Sequence, residues 1–129
     1  STTSSMQALQ VFVDALLKQG RHASTEEVAA WVVVGAEALR QPEVRTQYAS
    51  VMQQLSDELI ALLQAAVVEE AGQRPSKAKC KTAAAEVLSL ATGAFQLSLT
   101  TTTLPKGWAA KAAHERVQAF VAQHSGWAP

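Results

Sequence analysis

A chain of 129 residues, 48% apolar but only 5% aromatic, is long enough for one domain with a real core. Its abundant alanine favours closely packed helices over a β-sandwich rich in Val, Thr and Tyr. Eleven Lys and Arg balance eleven Asp and Glu, so the basic excess of a nucleic-acid-binding surface is missing.

Cys80 is the single cysteine, which excludes an intrachain disulfide and fits a reducing compartment. The longest apolar run, 29–36, is too short to span a bilayer. The start, 1-STTSSMQ, has neither a basic n-region nor an apolar h-region. A cytoplasmic protein with no membrane partner is expected. Position 1 is not Met, so a processed or trimmed chain is expected.

Met6, Leu9, Val13, Leu16 and Leu17 recur at helical spacing and predict a first helix that ends at Lys18 and Gly20. The stretch 24-STEE is a capping box, with Ser24 as N-cap and Glu27 three residues on. It opens a second helix through Val28, Trp31, Val32, Gly35 and Leu39. That helix is apolar on nearly every side, which predicts a central element wrapped by its neighbours. Pro42 suits the first position of a third, long helix, with Glu43 in its first turn. Its period runs from Val44 to about Val67, and Gly72 ends it. A fourth helix starts near Ser76, carries Ala84, Val87, Leu88, Ala91, Phe95 and Leu99, and stops at 100-TTTT. A fifth carries Val117, Phe120 and Val121 on one side, and the tail 124-HSGWAP reads as a loop. No strand has a partner. The expected class is all-α, a bundle of about five helices in one domain over residues 1–129, able to open a pocket between helices.

Catalytic constellations are absent. His22, His114 and His124 are expected on loops and chain ends without ligand spacing, and no HExxH, CxxC, glycine-rich phosphate loop or GxSxG occurs. No enzyme, metal or cofactor is expected. Glu69-Glu70 reads as a solvated helix end. In 77-KAKCK, lysines and a helix start would lower a thiol pKa, so Cys80 is either a reactive sensor or a lone thiol among solubilising lysines. Glu37 either pairs with Arg40 or Arg45 or anchors a cationic ligand. Trp31, Tyr48, Met52 and Phe95 either line a pocket or belong to the core.

The segment 28-VAAWVVVGAEALRQPEVRTQYASVMQQLSDELIALLQAAV resembles the ligand-binding domain of TetR-family transcriptional regulators, in the branch of the betaine-type regulators. The likeness lies in Trp31, the run to Glu37-Ala38-Leu39-Arg40, the break at Pro42-Glu43 and the long helix after it. The stretch 83-AAAEVLSLATGAFQLSL, with Gly93-Ala94-Phe95 in its second half, is similar to the family's next helix, and 109-AAKAAHERVQAFVAQH to its last. The family's N-terminal helix-turn-helix, roughly 50 residues, has no counterpart in the chain, which is therefore expected to be the regulatory part alone, without DNA binding of its own.

The resemblance implies a bacterial regulator that works as a homodimer. Its last two helices, 76–103 and 106–123, would form a four-helix interface through Ala94, Leu97, Ala113, Val117 and Phe120. It also implies a small-molecule effector held by Phe12, Trp31, Tyr48, Met52 and Phe95, with Glu37 as a polar anchor. DNA would be reached only through the missing domain. A rival reading is a standalone helical interaction module that binds a partner helix and no small ligand.

Overall fold

Residues 4–22 and 25–124 are described in the computed structural model, and among them there are five helices and no strand. Ser4 and Gln7 cap the first helix reciprocally: the Gln7 N–H donates to Ser4 Oγ at 3.1 Å, and the Ser4 N–H to Gln7 Oε1 at 3.0 Å. That helix, α1 (Ser5–His22), continues two residues beyond Gly20. The N-cap expected at Ser24 lies outside the described residues. The second helix, α2 (Thr25–Glu37), stops two residues short of Leu39 and passes into a turn.

Pro42 opens α3 (Pro42–Ala71) at the position its fixed φ favours, and Gly72 closes it in the left-handed region at φ 71°, its N–H donating to the Val68 carbonyl. Ser76 caps α4 (Lys77–Thr100) by accepting from the Lys79 N–H at 3.2 Å. The run 97-LSLTTTT is helical as far as Thr100, where the chain turns extended at Thr101. The last helix, α5 (Trp108–His124), takes in both His114 and His124, so these histidines sit in a helix and not on loops.

Four of the helices build the core. Leu9, Val13 and Leu16 of α1 meet Leu59, Leu63 and Val67 of α3. From α4 come Cys80, Ala84 and Val87, and from α5 Ala113, Val117 and Phe120. Alanines at the contacts let the helices approach closely, and larger neighbours fill the gaps.

The second helix overturns its expectation. It is peripheral. Of its described side chains only Val28 is buried, while Val33 is 57% and Val34 38% exposed. The reason lies in its connection. α3 has 30 residues, about 45 Å of helix, and its fully buried side chains begin at Leu59. Its first half overhangs the core. The short turn at 38–41 folds α2 back against α3 and α4, and it packs beside the core and not within it. Arg45 pins the turn by donating from Nε to the Ala38 carbonyl at 2.8 Å and from Nη2 to the Leu39 carbonyl at 2.9 Å. These bonds satisfy carbonyls left open at the end of α2.

Cys80 is fully buried, and desolvation pushes its thiol pKa up. A buried, protonated thiol is a poor nucleophile, which removes the sensor alternative.

Truncation should separate the two layers. Leu63→Ala, at 0% exposure, is expected to destabilise the chain by about 2–5 kcal/mol. Val33→Ser, on the uncovered side of α2, should change stability by less than about 0.5 kcal/mol. Urea unfolding of both variants at one protein concentration checks this, and a large loss at Val33 would return α2 to the core.

Candidate functional site

Among the residues expected to line a pocket, one pair meets ring to ring. Trp31 and Tyr48 touch, with ring centroids 5.2 Å apart and planes tilted by 33°. Gly35 makes room for the Tyr48 ring, since a Cβ there would lie 3.3 Å from the Tyr48 hydroxyl. Glu37 ends α2 with local partners, accepting from Gln41 Nε2 at 2.6 Å and lying 3.8 Å from Arg40 Nη2. Arg45 is spent on the carbonyls of the turn. Phe12, Met52 and Phe95 are half-buried against the core. The α2–α3 contact thus has the character of a helix junction: two stacked rings and a carboxylate met by its neighbours.

A cleft of about 710 Å³ opens elsewhere, between α1, the last turns of α4, the 101–107 loop and the start of α5. Phe95 is the one expected ligand-binding residue on its wall. Ala94, expected at the subunit interface, also faces it. Leu17, Leu104, Pro105 and Trp108 complete the apolar surface, and Asp14, Lys106 and His114 supply charge and polarity. At its edge His114 Nε2 and Asp14 Oδ1 are 2.7 Å apart, joining α5 to α1 across 100 residues of sequence. No sequence pattern links these two positions. The cue that was available is the break 104-LPKG, which places an exposed lysine and then Trp108 at a helix start.

The expected interface residues also divide. Ala113, Val117 and Phe120 are 2% exposed or less and belong to the chain's own core. They present no surface to a second chain, because α5 turns its apolar side inward onto α1, α3 and α4. Leu97 is 43% exposed. Along the same stripe of α4, Ala85, Ser89 and Gly93 are exposed at four-residue intervals. A Cβ on Gly93 would meet nothing within 4 Å.

Two polar ties lie beyond these sites. Arg116 on α5 grips Glu86 on α4 with both arms of its guanidinium, Nε at 2.6 Å and Nη2 at 3.1 Å. Those hydrogen bonds hold the Glu86 carboxyl below the usual range and raise the guanidinium in turn. Glu69, expected as a plain solvated end, accepts from the Ser5 N–H at 2.9 Å, and its carboxyl is likewise held low by Ser5.

Among the described residues no group of three or more His, Cys, Asp and Glu comes together, and no helix is long and apolar enough to cross a membrane.

The family described as BetI-type transcriptional repressor, C-terminal, matches residues 5–126 of the chain. No curated protein and no solved structure matches.

The Glu86–Arg116 pair sets a pH dependence. A carboxyl depressed in the folded state stabilises it fully above roughly pH 4, where an unfolded glutamate ionises, and less as pH falls through the depressed value. Glu86 is exposed and Arg116 half-buried, so solvent screens the pair and Glu86→Gln should cost only about 0.5–1 kcal/mol at pH 7. The gap between variant and parent should close as the pH falls below the ordinary glutamate range and the folded carboxyl takes up its proton. Thermal unfolding across this range checks it, and a gap that widens in acid would contradict the assignment.

Proposed function

The chain belongs to the family of BetI-type transcriptional repressor C-terminal domains, and we propose that it is the effector-sensing and homodimerising part of a TetR-like transcriptional regulator. The family match across 122 of its residues, 5–126, carries the reading. Membership points to a regulatory and non-enzymatic role.

In this reading two chains pair through α4 and α5 about a two-fold axis. The outward stripe Ala85, Ser89, Gly93 and Leu97 supports it: small side chains followed by an exposed leucine let a second α4 approach closely. The seam then lies on the outer face of α4, and the buried side of α5 stays with the core. Operator contact would fall to a helix-turn-helix domain that these residues do not include. The dimer would set the separation of two such heads to suit half-sites about one helical turn apart. A small molecule bound within the bundle changes that separation only by its differential affinity for the two states. Such a regulator would act in the bacterial cytoplasm.

The uncovered Val33, Val34 and Leu39 favour a second reading, in which this side of α2 receives a partner helix and the domain is an interaction module. The two readings differ over which surface closes. Sedimentation of the parent at tens of micromolar should give twice the chain mass, and Gly93→Arg, placed in open space, should give a folded monomer. A parent that sediments as a monomer would overturn the regulator reading in favour of the module.

A further inference from the structure

We propose that the cleft between α1, the end of α4 and the start of α5 binds an amphipathic organic anion, an aromatic or short aliphatic body carrying one carboxylate. This deepens the effector-sensing reading and rests on it, but it moves the site away from the Trp31–Tyr48 junction.

Size and walls come first. About 710 Å³ lies within the range that holds small organic ligands. The walls are mostly apolar. Leu17 stands on α1, Phe95 on α4, and Leu104 and Pro105 on the loop, with Trp108 opening α5. Trp108 leaves 41% of its surface uncovered, an unusual exposure for an indole on a chain with so few aromatics. Neither Trp108 nor Phe95 stacks on another ring among the described residues.

Charge then selects the head group. Two full charges of fixed sign line the cleft. Asp14 is engaged by His114 at 2.7 Å. Lys106 has no acidic partner among the described residues. The ionic group of the cleft left without a partner is therefore the lysine of the 101–107 loop, while the Asp14 carboxylate already has a hydrogen-bond partner in His114. Gly107, Ala109 and Ala110 bring the start of α5 to the same wall, and α5 has no acidic residue in its first turn. The positive end of the helix dipole thus adds to the lysine and is not neutralised locally. A cation in this cleft would meet Lys106 and a helix start, and a neutral molecule would leave both unanswered. A carboxylate with an apolar body satisfies the walls and the lysine together.

The cleft also explains how a small guest would be felt. It is bounded by α1 on one side and by the two helices of the proposed seam on the other, with the 101–107 loop across it. A ligand that draws Lys106 and Trp108 inward acts on the loop joining α4 to α5.

Three probes with one naphthalene body test the inference on the intact chain: naphthalene-1-acetate, its amide, and naphthalen-1-ylmethylamine. Binding is read from the Trp108 indole N–H resonance, assigned with Trp108→Phe. The carboxylate is expected to bind at least about tenfold more tightly than the amide or the amine. Lys106→Gln should remove roughly fivefold or more of the carboxylate affinity while leaving the amide unchanged. Ala94→Trp, which fills the cleft from α4, should abolish binding of all three. Preference for the amine, a carboxylate affinity indifferent to Lys106→Gln, or no response at Trp108 to about 10 mM probe would overturn the proposal. Sedimentation of the same samples separates the two readings. A dimer whose cleft takes none of the probes overturns this inference alone. A monomer that binds the carboxylate sustains it and overturns the two-fold assembly.

Discussion

The second half of α3 is the constraint on which the rest of the structure depends. Leu59, Leu63 and Val67 lie four residues apart on one stripe and are fully buried. Three other helices must close around that stripe to take it out of water. α1, α4 and α5 do so with Leu9, Val13, Ala84, Val87, Ala113 and Val117. This is why Ala113, Val117 and Phe120 are interior residues. The same constraint leaves the first half of α3 projecting past the core. α2 lies beside it, packed against α3 and α4.

Around this core the polar groups act between helices. Glu69 holds the start of α1 to the end of α3, Arg116 holds α5 to α4, and His114 holds α5 to α1. Arg45 fastens the turn between α2 and α3. Each tie is exposed or half-exposed, so each contributes modestly to stability. Their effect is on geometry. They fix which turn of one helix faces which turn of the next, a choice that alanine-rich contacts leave loose.

The cleft follows from that arrangement. α4 ends at Thr100 and α5 begins at Trp108, so seven residues cross between two helices already held together lower down by Glu86 and Arg116. The crossing loop stands off the bundle, and α1 supplies the opposite wall. An apolar recess at a loop, rimmed by one lysine, differs in chemistry from the Trp31–Tyr48 contact, where two rings already cover one another. Ligand space opens where packing is incomplete, and here that is at the α4–α5 connection.

Much of the architecture was legible before any coordinates. Pro42, Gly72 and Ser76 punctuate the chain through local backbone chemistry, which acts within a turn of the residue concerned, so these ends fell where expected. The helical class and the family likeness rest on apolar periodicity, which survives any change of partner. What the periodicity of α2 could not convey was its position: an all-apolar helix reads as central, but whether neighbours surround it depends on the length of α3 and the tightness of one turn. The pocket residues show the same limit. Trp31 and Tyr48 are visible as aromatics, whereas their mutual stacking, the burial of Cys80 and the pairing of Asp14 with His114 are decided by which helices come to lie side by side. By itself the sequence determined five helices, the ends marked by Pro42, Gly72 and Ser76, and the family they belong to. Only the tertiary structure decided which apolar faces are spent on the core and which are left over for a partner or a ligand, because burial is a property of neighbours and not of residues.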